Sequence, residues 1–297
     1  VRGRIRTMYP FQLYRPSTLR EALELYNEYP GSCILAGGTD AMISFRAGKR
    51  AEARVIDILL PELTGIKETE GAFEIGACTA LYAVAEFFRT QPQPYRVMQE
   101  TAESVGACQT RHIATIGGNI CNGVTSADTA SPICALNARL TARSASGERE
   151  YSIHEHYAGV GKVTLQHGEL LTAITIPASE YQGYRGSYTK YAMRNAMDIA
   201  TLSCAVWLRT NETGEVLEDI RIACGVAAPV PMRAFETERT LKGLRTEEAL
   251  QKAPALIRRE VNPRDSWRAS RKFRLHIIGE ILQSTMNEAL VQGGRIC

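Results

Sequence analysis

The chain has 297 residues, 44% hydrophobic and 23% charged, and its 35 basic and 32 acidic side chains leave a net charge of +3. That is the composition of a globular protein with room for one or two domains. No apolar run approaches ~18 residues, so no membrane span is expected, and no basic block interleaved with aromatics offers a nucleic-acid surface.

In chain order, Val1 to Arg6 is basic but has no apolar core behind it, so a secretory signal is not expected, and Met8 is a candidate natural first residue. Thr18-Leu19-Arg20-Glu21 forms a capping box that opens a helix with Leu19, Ala22, Leu23 and Tyr26 on one face. Pro30-Gly31 ends it, and Ser32 to Ala36 is a short strand delivering the chain into Gly37-Gly38. Arg54 to Leu59 and Phe73 to Ala77 are further strands; residues 80 to 107 are helical, with Leu81, Val84, Ala85 and Phe88 on the buried face. After a second glycine pair, Pro132 to Ala138 is again helical. Leu140 to Arg143 and Glu150 to Ile153 flank Ser144-Ala145-Ser146-Gly147 as a hairpin, and Glu169 to Ile176 is a strand.

The polar, glycine-containing stretch 178–187 marks the domain boundary, dividing the chain into 1–180, itself split near residue 60, and 181–297. Beyond it, Tyr188 to Met193, Leu202 to Arg209 and Asp219 to Ala227 predict three antiparallel strands, with a turn at Asn211 to Gly214. The remainder is helical, ending in a segment from Ser266 to about Leu290 where Phe273, Ile277 and Ile281 recur every four residues. This mixed order predicts an α+β fold rather than a doubly wound sheet.

The eight cysteines, at positions 33, 78, 108, 121, 134, 204, 224 and 297, include no Cys-x-x-Cys pair. Iron–sulfur and structural zinc sites need closely spaced ligands, so no metal site is expected, and unpaired thiols fit a reducing cytoplasm. Cys121 directly follows the second glycine pair and is placed near any ligand bound there. Gly159-Val160-Gly161-Lys162-Val163-Thr164 imitates a P-loop, but Val163 stands where Ser or Thr must follow the Lys, and His156 where the first Gly belongs. His154 and His156 flank Glu155 in what reads as a solvated loop, and no Gly-x-Gly-x-x-Gly follows a strand.

Two segments carry the chemistry: Ile34-Leu35-Ala36-Gly37-Gly38-Thr39-Asp40-Ala41 and Thr115-Ile116-Gly117-Gly118-Asn119. A single Gly-Gly pair is usually a tight turn. Two pairs, each beside Thr or Asn, offer runs of backbone N–H groups that can cradle a diphosphate, at roughly 1.5–3 kcal/mol per charge-assisted bond. Thr39 and Thr115 add hydroxyl donors, and Asn119 either bonds phosphate or pins its loop. Asp40, an acceptor when ionised, points away from phosphate, bonding its own turn, or contacts the ligand.

These segments, with Thr125-Ser126-Ala127-Asp128, Lys190-Tyr191-Ala192-Met193-Arg194 and Ser266-Trp267-Arg268-Ala269-Ser270, resemble the FAD-binding (medium) subunits of xanthine dehydrogenases and, more widely, of molybdenum hydroxylases. The resemblance runs over nearly the whole chain. It implies a two-subdomain FAD-binding domain of the vanillyl-alcohol-oxidase type, then a C-terminal domain with a three-stranded antiparallel sheet and helices. It makes residues 34–41 and 115–119 the diphosphate loops, puts Asp128 against the cofactor's hydroxyls and Leu171 at the adenine side, and sets Lys190 near the flavin or its phosphates. Arg194, Asp198 and Ile199 fall in a loop beside the isoalloxazine ring; Gln109 and Arg111 match the family pattern or only brace their loop.

The resemblance also implies a division of labour. A large partner subunit carries the molybdenum cofactor, a small one carries two two-iron clusters, and this chain holds noncovalent FAD and delivers electrons to NAD. No catalytic side chain is needed, because the flavin carries the chemistry. Purines are the preferred substrate class, because the 125–128 and 266–270 segments resemble the purine-type members most. The same subunit role in a nicotinate, aromatic-acid or carbon monoxide hydroxylase is the alternative, separable by neighbouring genes. A stand-alone flavoprotein oxidase predicts flavin reduction without partners, and a non-redox scaffold predicts a colourless chain that takes up no FAD.

Overall fold

Three short strands open the chain, β1 (Gln12–Tyr14), β2 (Cys33–Leu35) and β3 (Arg54–Asp57), in a computed structural model that describes residues 8–69 and 71–291. The basic start, Val1 to Arg6, and Cys297 lie outside the described residues. β3 is central, with β1 and β2 both parallel to it. Helix α1 (Leu19–Glu28) lays Leu19, Ala22 and Leu23 on Ile56 and Ile58. Thr18 caps α1 by accepting from the Glu21 N–H, while the Glu21 carboxylate reaches one residue further back to the Ser17 N–H. A second helix, α2 (Ala41–Arg46), follows the first glycine pair directly; the sequence reading did not foresee it.

A five-stranded antiparallel sheet comes next, in the order β4 (Ile66–Thr69), β5 (Ala72–Gly76), β10 (Leu170–Ile176), β6 (Arg139–Ser144), β7 (Gly147–Ser152). The hairpin expected around 144–147 is β6–β7, in register from Arg139–Ser152 to Ser144–Gly147. The imitation P-loop is the hairpin of β8 (Tyr157–Gly159) and β9 (Lys162–Val163). The stretch 80–107 is two helices instead of one, α3 (Leu81–Arg89) and α4 (Val97–Glu103). Pro92 and Pro94 between them lack the N–H groups that a continuous helix needs. α5 (Cys108–Ile113), α6 (Ile116–Cys121) and α7 (Ala130–Ala135) complete this part.

The C-terminal sheet runs β11 (Arg185–Tyr191), β12 (Leu202–Thr210), β13 (Leu217–Gly225), β14 (Met232–Arg233), so the three long strands gain a two-residue edge strand. Both faces are covered, which is why β12 is apolar without alternation. Leu202, Cys204, Val206 and Leu208 face α8 (Phe235–Leu241), α9 (Thr246–Glu260) and α10 (Arg271–Val291), where Ile277 and Ile281 are buried as expected. Ala205 and Trp207, one residue out of phase, join the core of the five-stranded sheet. Trp207 donates to the Pro94 carbonyl at 3.2 Å, so this core is continuous across both sheets. α10 begins at Arg271, leaving Ser266 to Ser270 as a non-helical approach.

Candidate cofactor site

Ile34 and Leu35 end the edge strand β2, and Ala36 to Asp40 is the loop between it and α2. Gly38 has φ +69, the left-handed conformation that glycine adopts most readily. Gly37 answers a different need, since a Cβ there would sit 1.9 Å from the Ile113 carbonyl oxygen. Among the described residues, the N–H groups of Gly37, Gly38, Thr39, Asp40 and Ala41 donate to no protein acceptor. The first turn of α2 adds its positive end to the same place. This loop is a run of open donors, a chemistry that suits an anion.

The second segment is built differently from the first. Ile116 to Cys121 is helix α6, with Thr115 as its N-cap. The Ile116 N–H donates to the Thr79 carbonyl at 3.0 Å and the Gly117 N–H to Ala77 at 2.8 Å. The Gly118 N–H donates to Thr115 Oγ1 at 3.1 Å and the Asn119 N–H to the Thr115 carbonyl at 3.0 Å. These four donors are used within the protein. Gly117 is required because a Cβ would meet the Ala77 oxygen at 2.6 Å. Asn119 pins its loop, its Oδ1 accepting from the Thr129 hydroxyl at 2.6 Å and N–H at 3.3 Å, which leaves its amide N–H₂ to offer. Asp40 bonds neither its own turn nor an open space: it accepts from the Asn122 amide, clamping the two segments together.

Asp128 and Lys190 meet each other. Lys190 Nζ donates to Asp128 Oδ2 at 2.8 Å and to the Ser104 carbonyl at 2.9 Å, with side-chain exposures of only 11% and 8% for the pair. Tyr188 donates to the other Asp128 oxygen at 3.3 Å. Burial pushes the Asp128 pKa up, and the Lys190 ammonium pulls against it. Lys190 is thus paired with a carboxylate in this structure. Leu171 is buried in the main core, beside the bulge that lets β10 pair out of step with β6, with its side chain among core residues. The neighbouring Thr172 carbonyl accepts from Ala77, the residue that holds Gly117.

The loop after β11 is self-contained. Asp198 accepts from the N–H groups of Met193, Arg194 and Ile199, and Arg194 donates to the Met197 carbonyl at 2.6 Å. The Met197 N–H reaches Gly106 at 3.3 Å, tying this loop to the approach to α5. Arg111 braces that approach by donating to Val105, while Gln109 is exposed. The half-buried Cys121 thiol is pushed up to about 12 by burial, so it is not a reactive group. His156 is buried rather than solvated, its Nδ1 at 3.0 Å from the Tyr151 hydroxyl, whereas His154 is exposed. Among the described residues no three or more His, Cys, Asp or Glu come together to hold a metal ion.

Asn122, Thr129 and Tyr188 join the candidate residues only through the structure. Tyr188 could have been found, because it lies two residues before Lys190 and so on the same face of β11. An open pocket of 450 Å³ between Phe73, Tyr95, Ser179 and Gln182 includes no residue of either glycine segment. A second, of 390 Å³, borders Cys78, Thr79 and Ala80, behind the carbonyl that holds Ile116. Five successive open N–H groups, and a glycine position that a Cβ would destroy, fit the diphosphate of a dinucleotide.

Comparison with known proteins narrows this. Residues 9–179 match the family described as FAD binding domain in molybdopterin dehydrogenase, and residues 187–289 match the CO dehydrogenase flavoprotein C-terminal domain. The chain is 37% identical over 294 residues to the xanthine dehydrogenase FAD-binding subunit of Escherichia coli O157:H7, covering 97% of this chain and 99% of that one. It is 27% identical to the carbon monoxide dehydrogenase medium chain of Hydrogenophaga pseudoflava, covering 94% and 96%. A solved structure of carbon monoxide dehydrogenase from Hydrogenophaga pseudoflava that lacks the Mo-pyranopterin moiety superposes with a TM-score of 0.90 at 26% identity, covering 97% and 99%. Fold and site together define an FAD-binding module of the molybdopterin-dehydrogenase type. The chain belongs to the FAD-binding, medium-subunit family of the molybdenum hydroxylases, and FAD is its cofactor.

Proposed function

We propose that this chain is the electron-transfer subunit of a xanthine dehydrogenase-like molybdenum hydroxylase. In that complex this chain would hold the FAD that links two-iron clusters on a small partner subunit, fed by a molybdenum-cofactor large subunit, to NAD in the cytoplasm. The observation that carries the reading is the 37% identity, over 97% of the chain, to a xanthine dehydrogenase FAD-binding subunit. Purines follow as the preferred substrate class of the complex. Among the described residues no helix is long and apolar enough to cross a membrane. Residues 1–180 form the FAD domain and 181–297 the C-terminal domain in this reading.

In the mechanism, the open N–H groups of Gly37 to Ala41 would hold the FAD diphosphate noncovalently, with the Asn119 amide and the Thr115 hydroxyl assisting. Asp128, paired with Lys190, would offer acceptors to the cofactor's hydroxyls. Bound FAD supplies the exchange between one-electron carriers and a two-electron hydride acceptor. The protein moves no proton of its own in this scheme. It fixes the diphosphate and holds the 192–199 loop in place through Asp198.

The test is an absorbance spectrum of the purified chain before and after anaerobic NADH. Flavin bands that bleach support the NAD-linked reading. Bands indifferent to NADH keep the FAD module and move the acceptor elsewhere. No flavin after reconstitution with FAD overturns the cradle.

A further inference from the structure

Beside Lys190, the 191–199 loop and the 264–273 segment form one face. Tyr191 touches the Phe273 ring at 6.1 Å between centroids. Buried Arg274 locks the two pieces together, donating to Thr201 at 3.0 Å, to Ser266 Oγ at 2.8 Å and to the Arg264 carbonyl. Large apolar side chains stand out of this face: Trp267 is 81% exposed and Met193 69%, with Tyr191, Met197, Ile199 and Phe273 around them. Arg268 lies with its guanidinium 4.3 Å from the centre of the Trp267 ring, and its Nε is buried without a hydrogen-bond partner among the described residues.

The charge on this face is not balanced. Across the two pieces Arg194, Arg264, Arg268, Arg271 and Lys272 face only Asp198 and Asp265. Asp198 accepts from three N–H groups of its loop and pairs with Arg194 at 3.6 Å, and Asp265 accepts from the Arg271 N–H at 2.7 Å, which leaves Arg264, Arg268 and Lys272 in excess. Neutral oxygens alone accept from Arg274. Trp, Tyr, Met and Arg are the residues enriched where proteins meet, and Trp and Arg dominate binding energy there. A small ligand needs enclosure, whereas Trp267 and Met193 stand out into solvent.

We infer that this face docks an acidic surface of the iron–sulfur electron-donor subunit, a carboxylate of which satisfies Arg268 beside Trp267. The inference rests on the electron-transfer reading above. The face adjoins the site through its loop, because the Met197 N–H is bound to Gly106, two residues beyond the Ser104 carbonyl that accepts from Lys190.

The experiment uses the FAD-loaded full chain and the separately purified iron–sulfur subunit of its complex, with calorimetric titration at about 50 and 300 mM NaCl. Arg268→Glu, and Met193→Asp outside the Arg274 network, are each expected to weaken binding at least about tenfold. Arg268→Glu also flattens the salt dependence, while NADH bleaching of the flavin and the circular dichroism melt stay as in the wild type. Wild-type-like subunit binding by both variants overturns the inference. If it comes with a raised KM for NADH, the face takes the dinucleotide instead. If the wild type is a dimer that Arg268→Glu splits, the occupant is a second copy. Failure of the electron-transfer reading looks different, because the wild type itself then binds no iron–sulfur subunit, and the docking inference falls with it.

Discussion

Gly37→Ala separates a cradle made by close backbone approach from a flexible turn. An added Cβ lies 1.9 Å from the Ile113 oxygen, 2.6 Å from the Ile113 carbon and 3.0 Å from Ala114 Cα. All three are backbone atoms, so no side chain can yield. The loop or the α5–α6 link has to move by about an ångström, at about 1–3 kcal/mol of stability. FAD affinity suffers more. Misaligning two of the open donors removes about 3–6 kcal/mol, on the order of 10² to 10⁴ in Kd. Gly31→Ala is the control: with φ +80 and nothing within 4 Å, it tests left-handed strain alone. That strain costs about 1–2 kcal/mol and leaves the Kd for FAD unchanged. Gly38→Ala falls between, since its φ is +69 and its neighbours, Leu35 Cδ1 at 3.2 Å and Met42 Cγ at 3.3 Å, are side chains that can give way. The assay is quenching of FAD fluorescence on titration with apoprotein, with melts of each variant alongside. A Gly37→Ala protein that binds FAD within about threefold of wild type refutes the reasoning.

Lys190→Met strands Asp128 as a buried unpaired carboxylate and is expected to cost about 3–5 kcal/mol in urea denaturation, part of which Lys190→Met with Asp128→Leu recovers. A double variant no more stable than the single one would show that the pair is not what the burial costs. Burial holds fully buried His156 neutral, its pKa lowered from 6.5 to about 4. The unfolded chain then binds the extra proton first, so His156 contributes roughly 3 kcal/mol above pH 6.5 that is lost as pH falls towards 4. His156→Leu should flatten that slope in denaturation at both ends of the range, and an unchanged slope removes His156 as its source. Trp207→Phe leaves the Pro94 carbonyl without its donor at 3.2 Å and should lower stability by about 1–3 kcal/mol, read as a shift in denaturation midpoint.

What could be read from sequence was what local rules decide. Thr18 with Glu21 announced α1, and Ser144 to Gly147 announced the β6–β7 hairpin in its observed position. The glycine segments were visible as special but not as different. Gly37, Gly38 and Gly117 look alike in sequence, while two are set by carbonyls of residues far along the chain and one by φ. The choice between an open donor and a used one lies with Thr79 and Ala77, about 40 residues before the N–H groups they accept from, and no periodicity carries that information. Helices α2, α5 and α6 have six residues each, too short to show a hydrophobic repeat. Lys190 and Asp128 were expected at the cofactor separately. Their mutual pairing follows from β11 passing beside the loop before α7, a tertiary fact.

That pairing bears on how the two parts of the chain work together. Asp128 and Ser104 belong to the part matched by the FAD-binding family, Lys190 to the part matched by the C-terminal one. Two further buried links cross the same line: Trp207 to Pro94, and Arg233, which binds Glu238 and donates to Asn137. Each joins polar groups that cannot be left unpaired in the core without a cost of about 1–3 kcal/mol or more. Sliding one part over the other breaks all three together. The 192–199 loop leaves β11 one residue after Lys190, so its position relative to the glycine cradle is fixed by these links and not by the loop's own flexibility. In the proposed reading, a cofactor whose diphosphate sits at Gly37 to Ala41 would therefore meet a rigid edge at that loop, which is what electron transfer over a set distance requires.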